Sequence, residues 1–153
     1  MMDKIYNLIG RIMENCQYIE HNLALTIRLH DTLKSFYAGK IVSADVFEKA
    51  EQEAIELHKK MQSWTMGRIN RLIDKHTDFN RDFQNDINKV VSDRKHIAHH
   101  YFNDCDFVKN HNDELFLQKE YGYLDDILKR LTEVNSALHE IIADQHDDLK
   151  SIK

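Results

Sequence analysis

The twenty residues FQNDINKVVSDRKHIAHHYF (83–102) decide how this chain is read. At about 100° of turn per residue, Phe83, Ile87, Val90, Val91, Ile97, Ala98 and Tyr101 fall in one sector of a helix. Arg94 falls close to the centre of that sector. An arginine is rarely buried without a partner, so Arg94 snorkels, pairs with an acid or lines a polar cleft. His99 lies five residues on, about 140° around the helix. In one straight helix the two side chains do not meet.

The rest of the chain is helical in pattern too. It holds no proline and four glycines, so its helices can run long. Ile5, Ile9, Ile12, Cys16, Ile19, Leu23 and Ile27 recur at spacings of four and three, the mark of one helical face. This first helix is expected from about Asp3 to Tyr37, stopping near Gly39. Leu8, Met13, Leu25 and Leu29 widen its apolar surface.

Ser43 is a good N-cap for a second helix carrying Val46, Phe47, Ala50, Ala54, Leu57 and Met61. SWTMGRINRLIDKH (63–76) reads as a break and a short helix with Ile69, Leu72 and Ile73 inward. The third long helix is expected from about Asn80 to Tyr101, and a fourth from about Tyr121 to Asp147. Between these two, Asp106-Phe107-Val108 and Leu115-Phe116-Leu117 flank the turn formers Asn110, Asn112 and Asp113. They read as a short β-hairpin or loop insertion. The polar tail DQHDDLKSIK (144–153) is expected to fray. The fold expected is an all-α, four-to-five-helix up-and-down bundle, one helical domain over 1–153.

Composition narrows the function. The chain is 42% hydrophobic and 31% charged, a globular balance. No stretch of about 18 apolar residues is present, so no membrane span or membrane partner is expected. The N-terminus lacks the unbroken apolar run of a signal peptide, which points to a cytoplasmic protein. The two cysteines, Cys16 and Cys105, lack a metal-type spacing and read as free thiols. A formal net charge of −5 argues against coating nucleic acid nonspecifically, but leaves room for a local basic site.

Other chemistries find little footing. There is no glycine-rich phosphate loop and no GxSxG elbow. His96 and His100 lie one turn apart with Asp93 on their side, a spacing zinc can use. A third and fourth ligand are not evident, and HIAHH lacks the glutamate of HExxH. No metal or cofactor is therefore assigned. His21, His30, His58, His76, His111 and His139 are scattered and read as solvated, as does Lys95. Trp64, Tyr6 and Tyr18 read as packing residues.

The run Arg94-Lys95-His96-Ile97-Ala98-His99 resembles the Arg-x4-His motif of the HEPN superfamily, the higher eukaryotes and prokaryotes nucleotide-binding domains. Its position late in the third long helix of a helical bundle is similar, as is the His100-Tyr101-Phe102 ending. The resemblance implies a HEPN-like bundle over 1–153 that forms a two-fold homodimer. Two motifs would then share one cleft. Many such domains are metal-independent endoribonucleases or toxins, which adds an antitoxin-like protein to the possible partners.

By carry-over, Arg94 would hold the scissile phosphate with its donor fork, and His99 would act as general acid or base for attack by the RNA 2′-hydroxyl. Lys95, His96, His100 and Tyr101 would contact the RNA or nucleotide. Lys95 departs from the pattern: catalytic members carry Asn, Asp or His there. A long cation either substitutes at that place or marks a member without activity. Noncatalytic members bind nucleotides or protein partners, which is the alternative function.

Overall fold

A computed structural model describes residues 1–39, 43–61, 63–102 and 106–152. Among these residues the chain is all-helical. Seven helices follow in order: α1 (Met2–Tyr37), α2 (Ala44–Met61), α3 (Met66–Asn70), α4 (Ile73–His76), α5 (Arg81–Phe102), α6 (Asp106–Lys109) and α7 (Glu114–Ile152). Four of them are long, matching the four main helices expected. Cys105 lies outside the described residues.

Local chemistry explains several of the boundaries. α1 ends where Gly39 takes φ +68°, a left-handed turn open to glycine at no steric cost. The Val46 N–H approaches Ser43 Oγ at 3.4 Å, the expected N-cap of α2. α5 starts on Asn80, whose Oδ1 accepts the Phe83 N–H at 2.9 Å.

Segments alternate in direction. Asn22 donates to Asn135 at 2.7 Å, and the Gln145 side chain donates to the Thr26 carbonyl at 3.2 Å, so α1 and α7 run parallel. α5 meets α1 at Glu20 through Arg94, while His30 of α1 faces Asp78 just before α5, so α5 runs antiparallel to α1. Asp93–Arg130 and His100–Glu120 give the same antiparallel sense against α7.

The core follows the stripes. Ile5, Ile12, Cys16, Ile19, Leu23 and Ile27 are fully buried on α1, facing Leu124, Ile127, Leu131 and Leu138 of α7. Ile87, Val90 and Ile97 bring α5 into the same cluster, and Ile69 and Ile73 bring α3 and α4. α2 contributes less, with Ala54, His58 and Met61 buried. His58 is not a solvated histidine. Its Nε2 is enclosed with no partner among the described residues, and burial, with His21 and Arg28 nearby, lowers its pKa. Trp64 packs on the core, but Tyr6 and Tyr18 are more than half exposed.

Two expectations fail for physical reasons. Among the described residues no β-hairpin stands between the last two long helices. Asp113 caps α7 instead, its Oδ1 accepting the Phe116 N–H at 3.1 Å and its carbonyl the Leu117 N–H. Turn formers before an apolar run also start a helix, and here that signal wins. α7 therefore begins at Glu114, seven residues before Tyr121. Phe107 is buried in α6 among Tyr6, Tyr101 and Phe116. The tail is helical through Ile152: Gln145 reaches α1, and Lys150–Asp147 and Ser151–Asp148 contacts lie along the last turns.

Helix rather than hairpin at 114–117 makes Leu115 an outward residue, 71% exposed, while Leu131 is fully buried. In urea unfolding, Leu131→Ala should cost about 2–5 kcal/mol and Leu115→Ala under about 0.5 kcal/mol. Similar costs at the two positions would contradict this register.

Candidate functional site on α5

The residues singled out by sequence sit on α5, but they separate into three directions. The inward one belongs to Arg94. Its Nη1 lies 2.9 Å from Glu20 Oε1 of α1, with about 30% of the Arg94 side chain and 19% of the Glu20 side chain exposed. The same carboxylate oxygen accepts the Met66 N–H at 3.0 Å, at the first residue of α3. Thr65 caps that helix with a 3.4 Å contact to the Arg68 N–H, and the Arg68 guanidinium lies 3.9 Å over the Trp64 ring.

Arg94 Nε is enclosed and has no hydrogen-bond partner among the described residues. Cys16 is close enough to feel the pair. Burial pushes its thiol up to about 12, against the pull of Arg94. That leaves the thiol neutral and unreactive near pH 7.

A second direction faces α7. Arg130 Nη2 donates to Asp93 at 2.9 Å. Glu120 Oε2 accepts the Tyr101 hydroxyl, and the same oxygen lies 3.3 Å from His100 Nε2. Burial, then Glu120, pushes the Tyr101 hydroxyl far above its ordinary range, so it remains a donor. The His96 and His100 rings stack at 5.5 Å, and Tyr123 meets His96 edge-on at 5.8 Å.

Asp93 and His100 are thus engaged by Arg130 and Glu120 rather than turned to a common ion. Among the described residues no group of three or more His, Cys, Asp or Glu is placed to hold a metal. The Asp93/His96/His100 zinc reading is not supported.

The third direction is outward. Lys95 and His99 are exposed there. Arg94 and His99 of one chain are not brought together: the first points at α1 and the second at solvent. This agrees with the angular separation along the helix.

Sequence reading missed Glu20, Glu120 and Arg130, although two of them carried a signal. Glu20 lies four residues from Cys16 and three from Leu23, inside the apolar sector of α1. Glu120 lies between Leu117 and Leu124, inside that of α7. An acid in one apolar stripe is the natural complement of an arginine in another.

A further feature was also legible. Arg81, Asn85, Asn88, Lys89, Ser92, Lys95, His96 and His99 occupy one sector of α5, and all eight are exposed. No carboxylate shares that sector; Asp82, Asp86 and Asp93 lie on the flank toward α7. On a chain with net charge −5, this strip is a local exception. It spans about 27 Å at 1.5 Å per residue.

Compared with known proteins, the chain matches no family model, no curated protein and no solved structure. Among the described residues no helix is long and apolar enough to cross a membrane.

A double-mutant cycle on Glu20→Ala and Arg94→Ala should show a coupling of about 0.5–3 kcal/mol in unfolding free energy. Additive effects would mean that the two side chains do not interact in solution.

Proposed function

We propose that this chain is a HEPN-like helical module that binds RNA or a nucleotide through the outward face of α5, as a two-fold homodimer. The observation that carries the reading is the carboxylate-free strip from Arg81 to His99. Phosphate contacts dominate nucleic-acid affinity, and they need cations and neutral donors without competing acids. Arg81, Lys89 and Lys95 supply cations along the strip. Asn85, Asn88 and Ser92 supply neutral donors, and His96 and His99 supply rings that can stack on a base. In this reading Arg94, His100 and Tyr101 hold the strip in place through Glu20 and Glu120 rather than touching the ligand.

Binding without turnover is the preferred form. Arg94 is committed to Glu20 within its own chain, and its Nε is enclosed, so the donor fork is not presented to a phosphate. A second reading, metal-independent endoribonuclease, is favoured by one observation: about 30% of the Arg94 side chain remains exposed, and His99 is open at the end of the strip. In a dimer, Arg94 of one protomer and His99 of its partner would then complete a site.

Fluorescence anisotropy with a single-stranded RNA at several salt concentrations separates the outcomes. Wild type should bind with a negative slope of log K against log salt. The Arg81→Ala/Lys89→Ala/Lys95→Ala variant should lower the magnitude of that slope by roughly 2, from about 0.7 per lost phosphate contact. In EDTA, RNA should survive as long with wild type as with Arg94→Ala/His99→Ala. Unchanged binding by the triple variant contradicts the strip; faster cleavage by wild type establishes the second reading.

A further inference from the structure

A cavity of about 480 Å³ opens at the far end of α5 from His99, between α1, the 77–80 connection and α7. Its walls repeat one chemistry. Asp78 and Phe79 stand together on the connection; Glu140, Ile141 and Asp144 stand together on α7. Phe79 and Phe83 meet edge-to-face, with ring centroids 4.9 Å apart. Both rings and Ile141 are only partly buried, so apolar surface is left uncovered between the two sets of acids.

Among the described residues no lysine or arginine lines this cavity. His30 is the one basic lining residue among them, and it lies 3.8 Å from Asp78. The α5 N-terminus, a source of positive potential, is answered by Asn80 on the Phe83 N–H and by Asp82 in the first turn.

Gln145, at the edge of the cavity, donates its Nε2 to the Thr26 carbonyl, and its Oε1 is enclosed with no donor among the described residues. The cavity is also of the size that small-molecule sites have. A ligand that suits it carries positive charge at two ends, to reach acids on both walls. It also carries an apolar middle, to cover Phe79, Phe83 and Ile141. A metal ion offers no apolar middle, and an anion has the wrong sign.

We propose that this cavity binds a linear aliphatic diamine or polyamine. One ammonium lies toward Asp78, the other between Glu140 and Asp144, and the methylene chain lies on the phenylalanine pair, covering apolar surface that is otherwise left to water. The site is separate from the outward strip of α5 and does not depend on its reading.

Isothermal titration calorimetry and thermal melting on the full chain, at matched ionic strength, test it with 1,4-diaminobutane and spermidine as probes. The comparison compounds are butylamine, magnesium chloride and a short lysine-containing peptide. The expected result is saturable binding of the two probes. Binding should weaken at least tenfold in Glu140→Gln/Asp144→Asn, whose changes are at exposed positions and leave the fold intact. Butylamine should bind at least tenfold more weakly than the diamine. Phe83→Leu, which keeps an apolar side chain, should weaken binding while circular dichroism stays unchanged.

No saturable heat with either probe overturns the proposal. So does equal stabilisation by magnesium, which would mark general screening, or an unchanged affinity in the double variant. Tighter binding of the lysine peptide than of spermidine would assign the cavity to a protein partner and likewise overturn it.

Discussion

One carboxylate oxygen carries the arrangement on which the rest depends. Glu20 Oε1 holds Arg94 of α5 and the first N–H of α3 at once, from the middle of the buried stripe of α1. An arginine in an apolar sector is tolerable where an acid meets it, and the pair then admits few other alignments of the two helices. Two further carboxylates do the same work against α7. Asp93 takes Arg130, and Glu120 takes Tyr101 and His100. α5 is thereby set both in height and in rotation. Its rotation is what turns Lys95 and His99 to solvent and leaves a face of α5 free of acids.

The division of the motif follows from the same constraint. A helix cannot present residues five apart on one side, so an arginine drawn into the core leaves the histidine outside. Chemistry that needs both must therefore recruit a second chain, whereas binding along the outward strip needs one. This separation is the support for proposing a binding module rather than a self-contained nuclease. It also accounts for the arrangement of Asp93, His96 and His100, which do not converge as a set of metal ligands: two of the three are engaged by α7, and His96 is stacked on one of them.

Much of this was legible in the sequence. The 3–4 spacing of Ile5 to Ile27 announced α1, and the misplaced Arg94 announced that it snorkels, pairs with an acid or lines a cleft, of which the structure shows the acid partner. Glu20 breaks the α1 stripe as Arg94 breaks that of α5, a signal that marked it as a candidate acid although the sequence reading missed it. Which acid pairs with which base was not legible, because pairing depends on the height at which helices cross. The hairpin expected at 106–117 failed because Asn, Asp and Asn-rich segments serve turns and helix starts alike. The choice falls to packing, here the burial of Phe107 and Leu117. The cavity beside Phe79 was beyond sequence reading, since its walls come from positions about sixty residues apart.

The most direct test of the account is nitrogen-15 NMR of the arginine and lysine side chains while a short single-stranded RNA is added. The Arg94 Nε–H signal should be resolved and slowly exchanging before addition and should keep its position through saturation, while Arg81, Lys89, Lys95 and the His99 ring shift. An Arg94 signal that moves with RNA, ahead of the outward residues, would show that Glu20 releases the guanidinium to a phosphate and would contradict the account.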